Sequence, residues 1–292
     1  MNRSSGKNNP SRGVRVSPVL VTGNFPVVLR DWLNPAKPLE SRAERGERRL
    51  IVIELVIVFA ITLGLSGLRS LLSLLDSLLR TTPLDKQTVA INAPQARADW
   101  LDLLTQLAGI LQLFAWAALG LYLLHRSGIG ARAIGLARRV TGRDWLGGAG
   151  LTALIGIPGL GLYFAARAIG ANLNVAPSTL DGTWWRVPVL VISAVANAVA
   201  EEVLVVGFLL TRLRRFGARE NSALFIAAVL RGSYHLYQGF GGFVGNLLMG
   251  LVFGRVWQRT NRLWPLVLAH SLIDLIAFVG YALLAPLLPF LR

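Results

Sequence analysis

An all-α, polytopic transmembrane helix bundle is the fold class that the sequence predicts, and two observations carry that expectation. Of the 292 residues, 53% are hydrophobic and 15% charged, with a mean hydropathy of +0.54. A soluble domain is about 45–50% apolar and about 25% charged. The charges are also bunched between long apolar runs, so those runs meet lipid rather than a soluble core. A crossing needs roughly 20 apolar helical residues.

Seven such runs are read, at Leu50–Leu68, Leu101–Leu124, Leu146–Ile169, Val187–Leu210, Ser222–Tyr237, Phe240–Trp257 and Leu263–Leu284. About seven spans are therefore expected, eight if one is misread, and no strands. The apolar stretch Leu71–Leu79 is too short to span alone; it is either an interfacial helix or an extension of the first span. Residues 1–49 read as a flexible, basic cytoplasmic tail without a cleavable signal peptide, and within it Val16–Leu33 could lie on the membrane surface. Residues 50–185 form an N-terminal set of transmembrane helices and loops, and residues 186–292 a second transmembrane region.

Loop charges give the orientation. Arginines gather before the first span and after the second, fourth and sixth, for example Arg132, Arg138, Arg212, Arg214, Arg215 and Arg259. The loop with Asp181, Trp184 and Trp185 is poorer in basic residues. The alternation places the N-terminus in the cytoplasm, in a membrane that the arginine-rich composition suggests is bacterial. The two tryptophans fit an outer interfacial belt. The net charge of +15 is thereby accounted for without nucleic acid, because the basic residues flank apolar runs rather than line one face. The bilayer is the expected partner, and the oligomeric state leaves no trace in the sequence. No cysteine is present, which excludes disulfides and thiol nucleophiles.

Charged side chains inside spans are costly and point to function. Glu54 and Asp102 lie near span starts and read as helix-N-terminal carboxylates. Arg167 and Arg255 lie close enough to span ends to snorkel. What remains is Glu201, Glu202, Arg231, His235, His270 and Asp274, all in the last four spans. Glu201 and Glu202 point about 100° apart on a helix, so one faces an interior site and the other a neighbouring helix. Arg231 and His235, like His270 and Asp274, are four residues apart and read as sharing a face. A dry carboxylate beside histidines can activate water as a general base. Two histidines and a carboxylate, His235, His270 and Glu201, could equally hold a divalent metal such as zinc. Ionisable groups in a bundle also serve as interhelical glue or as proton relays. A binding scaffold and a proton-coupled transporter therefore stand as rival readings. The sequence shows no inverted repeat, which weighs against the transporter.

At these residues the chain resembles the CPBP family, which groups type II CAAX prenyl proteases with bacteriocin-processing, Abi-like homologues. The family pattern is E-E-x-x-x-R, then F-x-x-x-H, then H-x-x-x-N or H-x-x-x-D on successive helices. Here the parts read Glu201-Glu202 through Val206, Arg231 through His235, and His270 through Asp274. Two positions depart: Val206 stands where the family has arginine, and Arg231 where it has phenylalanine. The expectation is relocation, with Arg231 reaching Glu202 from the neighbouring helix.

The resemblance implies an intramembrane endopeptidase acting on a peptide or membrane-protein substrate, with residues 186–292 as its catalytic region. In that reading Glu201 activates the water, His235 and His270 position it or stabilise the oxyanion, and Asp274 takes the place of the family's Asn. Glu202 and Arg231 support them. Both a metal-free and a divalent-metal scheme fit these residue types.

Overall fold

The structure is a computed structural model that describes residues 43–136, 139–180 and 182–284. Most of the expected basic tail, including Val16–Leu33, lies outside the described residues, as do Arg138 and Asp181. Eight helices make up most of the described residues: α1 (Arg45–Ile61), α2 (Leu63–Leu79), α3 (Asp99–Arg126), α4 (Gly142–Ala168), α5 (Arg186–Phe216), α6 (Glu220–Ser233), α7 (Phe240–Thr260) and α8 (Trp264–Leu284).

The helical membrane bundle is as the composition requires, but its spans differ from the sequence reading. Among the described residues, five helices are long and apolar enough to cross a membrane: α3, α4, α5, α7 and α8. The pair α1 and α2 adds a sixth crossing if the two act as one span bent by 50°. The first expected span is thus broken. Thr62 leaves helical geometry at φ −125° and ψ −128°, and its hydroxyl donates to the Val58 carbonyl at 2.7 Å. Leu71–Leu79 is the second half of α2 and lengthens the first span beyond the bend rather than standing as a separate helix.

The fifth expected span is corrected too. α6 has 14 residues, giving about 21 Å at 1.5 Å per residue, short of a bilayer core of about 30 Å. Part of its apolar character goes to packing: Ala223, Leu224, Ala227 and Ala228 are buried, while Phe225 and Ile226 are exposed. A Cβ at Gly250 on α7 would lie 2.9 Å from the Ala228 Cα on α6, so only glycine permits this approach.

Strands are also present. β1 (Thr88–Asn92) and β2 (Asn174–Ser178) pair in parallel, with Thr88 opposite Asn174 and Asn92 opposite Ser178. Neither was legible, because each is only five residues long and lies in a loop between helices. Trp184 is 82% exposed, as an interfacial residue would be, but Trp185 is 2% exposed and donates Nε1–H to Asp99 Oδ1 at 3.2 Å.

α5 is the central helix. Of its apolar window 67% is buried inside the bundle, against 22% in α3 and 11% in α4, whose apolar surfaces face outward. α8 lies against both α4 and α5, and α3 covers another side of α5. From Glu202 to Leu210 the backbone of α5 opens into π-helix, and every residue of that stretch is buried. A second π segment, Ile276–Gly280, interrupts α8. Such widened turns are uncommon and recur at functional sites. Here the first begins directly after the buried Glu201 on α5, and the second two residues after Asp274 on α8.

Polar ties fix the flanks. Glu54 is not a helix-start carboxylate: it sits mid-helix on α1 and accepts two bonds from Arg212 on α5, at 2.6 and 2.8 Å. Asp102 does lie in the first turn of α3 and accepts from the Gln95 backbone N–H at 2.8 Å. Arg255 does not snorkel; it is 4% exposed and donates to Asn221 Oδ1 at 2.6 Å.

Candidate active site

α5 supplies one wall of the site. Ser193, Asn197 and Glu201 follow at four-residue intervals, hence along one helical face, and all three line a cavity of about 520 Å³. That volume falls within the roughly 300–1,000 Å³ of ligand-binding clefts. Tyr234, His235, His270 and Asp274 line the same cavity, and Gln106, Ile110 and Trp116 of α3 close the far side together with Ile91 of β1.

Glu201 and Glu202 face different surroundings. Glu201 is 3% exposed and accepts a 2.6 Å bond from the Tyr234 hydroxyl. Glu202 is fully buried and outside the cavity lining. Its Oε1 accepts from Arg231 Nη2 at 2.6 Å and from His270 Nδ1 at 2.8 Å. Arg231 therefore reaches Glu202 from α6, the helix after the one that carries the glutamates. Its guanidinium also lies 5.7 Å from the Phe253 ring centroid on α7. Val206, at the position of the family's arginine, is 1% exposed in the apolar core.

α8 supplies His270 and Asp274 one turn apart. Because Nδ1 of His270 donates to Glu202, its Nε2 is the atom left to face the cavity side, 3.6 Å from Asp274 Oδ2. The same Asp274 oxygen accepts from the Asn197 amide at 2.9 Å. Asn197 thus links the face of α5 that carries Glu201 to α8.

His235 is placed otherwise than its spacing suggests. α6 ends at Ser233, and His235 lies in the following turn at φ −107° and ψ 4°, so it does not share a helical face with Arg231. That turn is pinned by the loop after α4. The Leu173 N–H donates to the Gln238 carbonyl at 3.0 Å, the Phe240 N–H to the Ala171 carbonyl at 3.0 Å, and the Gly242 N–H to Asn172 Oδ1 at 3.1 Å. Gly239 takes φ +110°, which side-chain-bearing residues rarely adopt, and a Cβ there would lie 2.7 Å from the Asn172 Cα. Gln238 Nε2 faces His235 Nδ1 at 3.3 Å. An amide N–H can only donate, so the lone pair of His235 sits on Nδ1 and its proton on Nε2.

The structure thus gathers Glu201, His235, His270 and Asp274 around one cavity and sets Glu202 and Arg231 behind it. Sequence reasoning missed Asn197 and Tyr234. Asn197 carried a signal, a polar residue one turn before Glu201 in an otherwise apolar helix. Tyr234 acts from a turn and follows no periodicity.

Among the described residues, no group of three or more His, Cys, Asp or Glu side chains is arranged to hold a metal ion. Of the set considered for zinc, His270 bonds Glu202 through Nδ1, His235 faces Gln238 through Nδ1, and Glu201 bonds Tyr234 through Oε2, which leaves Nε2 of each histidine and the second Glu201 oxygen outside these bonds.

Comparison with known proteins bears on the same part of the chain. Residues 183–276 match the family model described as type II CAAX prenyl endopeptidase Rce1-like. This is the family that the three motifs resemble, and the matched segment runs from the start of α5 through Asp274 into the π segment of α8. No curated protein and no solved structure matches the chain.

Proposed function

We propose that this membrane protein is an intramembrane endopeptidase in which Glu201 activates water for attack on a peptide bond. The observation that carries this reading is the division of the paired glutamates. Glu201 opens on a cavity shared with His235, His270 and Asp274, while Glu202 is consumed by Arg231 and His270. The match to a protease family over residues 183–276 supports it.

Glu201 takes a proton from water, and the resulting hydroxide attacks the scissile carbonyl carbon. Tyr234 holds one carboxylate oxygen, which leaves the other for the water. The negative charge that develops on the carbonyl oxygen needs a donor aimed at it. His235 Nε2–H fills that role: among the described residues this atom has no hydrogen-bond partner, and its ring lines the cavity. His270, steered by Glu202 and Asp274, positions the water. The proton on Glu201 then passes to the leaving amine, and the peptide bond breaks without a step through a metal. Arg231 pairs with Glu202, whose same oxygen accepts from His270. The departures at Val206 and Arg231 in this view move the arginine to another helix and preserve its ion pair.

The cavity lies within a bundle whose outer surface is apolar, so the substrate is a membrane-associated peptide or membrane protein. In this reading the N-terminus lies in the cytoplasm of a bacterial cell, which the arginine-rich loops support. The test compares peptide termini in membranes of cells carrying the wild-type chain or Glu201→Ala at equal insertion. Termini that vanish with the variant support the protease and identify its substrates. Unchanged termini alongside a lost phenotype favour a binding or transport site, and the protease reading then falls.

A further inference from the structure

We infer that Tyr234 is the positioning residue for Glu201, and that α2, which lies outside the family-matched segment, sets the place of Tyr234. The inference rests on the protease reading above and concerns how its base is held.

The hydroxyl of Tyr234 donates to Glu201 Oε2 at 2.6 Å, and the side chain is 6% exposed. A hydroxyl that donates to a carboxylate fixes its rotation, so the second oxygen faces one direction. Arg231 and Glu202 do not supply this. Their pair lies behind the cavity and bonds His270 instead. None of the three family motifs specifies the residue at position 234.

Tyr234 caps the end of α6, one residue past the last helical residue, and its N–H donates to the Gly232 carbonyl. Its own carbonyl is held by α2. The Ser70 hydroxyl on α2 donates to the Tyr234 carbonyl at 2.9 Å, and Ser70 is 7% exposed. A Cβ at Gly67, one turn earlier on α2, would lie 2.5 Å from Ser233 Oγ, so the two backbones are in close approach. Leu74, one turn later, packs in the same apolar cluster as Leu236. Gly67, Ser70 and Leu74 thus form a stripe on α2 that grips the turn carrying Tyr234 and His235. A shift of α2 about the break at Thr62 would move the hydroxyl that holds Glu201.

The test uses the full-length chain in liposomes and a peptide built on a terminus that vanishes in Glu201→Ala cells. Tyr234→Phe keeps the ring and is expected to lower kcat about 100-fold, the scale of an ångström-sized misplacement, with KM unchanged. Ser70→Ala is expected to lower kcat by a smaller factor, and Ser70→Thr, which keeps the hydroxyl, to retain it. Wild-type kcat in Tyr234→Phe while Glu201→Ala is dead overturns the inference, as does a loss explained by the amount of folded protein. Infrared spectroscopy supplies a readout independent of cleavage. The carboxylate band that disappears in Glu201→Gln is expected to shift in Tyr234→Phe, and an unshifted band also overturns the inference. If Glu201→Ala cleaves as well as wild type, the protease reading fails, and the infrared band alone then decides whether Tyr234 holds Glu201.

Discussion

Arg231 Nη2 lies 2.6 Å from Glu202 Oε1, and neither side chain has exposed surface. Removing one partner leaves the other charge buried without its ion pair, at a cost of about 3–5 kcal/mol. Arg231→Leu and Glu202→Gln are each expected to destabilise the chain on that scale in detergent unfolding. The double variant should lose clearly less than the sum of the two. Additive losses would mean that the contact is incidental.

The family's arrangement should be transferable. Val206 follows Glu202 by about one turn and is buried in the core. Val206→Arg combined with Arg231→Phe restores the family pattern, and it is expected to recover stability that Arg231→Leu loses. A double variant no more stable than Arg231→Leu argues against relocation.

Asp274 works through its oxygen in this account, accepting from Asn197 and facing His270. Asp274→Asn, the family's other choice, keeps an oxygen there and is expected to stay within about threefold of wild-type cleavage, while Asp274→Ala drops about 100-fold as His270 loses its orientation. Equal losses in the two variants would show that the charge matters rather than the position.

Glu54 and Arg212 join α1 to α5 by two charged hydrogen bonds. Glu54 is 23% exposed, so Glu54→Gln is expected to cost about 1–2 kcal/mol, the lower end for charged bonds. Thermal unfolding of the variant checks this, and an unchanged midpoint would contradict it.

Chelation gives a further check. The proposed scheme routes no step through a metal, so cleavage by purified protein is expected to survive chelator treatment. Loss on chelation with recovery on added zinc would show that His235, His270 and Glu201 gather around a metal.

Much of the fold was legible because lipid demands long apolar helices, and α3, α4, α5, α7 and α8 show them. Two failures share one cause: a protein interior is as apolar as lipid. The residues of α6 pack against α7, and the run through α1 and α2 hides a break at Thr62, so composition alone read each as a whole span. The strands were too short to signal themselves. In the site, Glu201, Glu202, His270 and Asp274 were legible because ionisable groups in apolar helices stand out. The i, i+4 reading of Arg231 and His235 failed where α6 ends. Tyr234 was invisible because a tyrosine in an apolar segment is ordinary; only the third dimension brings its hydroxyl to Glu201.

The most direct test of the central claim is hydrolysis in heavy-oxygen water by the purified full-length chain in liposomes. Its substrate is a peptide spanning a terminus that is lost in Glu201→Ala cells. The account predicts that the wild-type chain places heavy oxygen in the new C-terminal carboxylate and that Glu201→Ala, folded and inserted equally well, releases no product. Product released by Glu201→Ala at the wild-type rate would contradict it, because the water would then be activated by some other group.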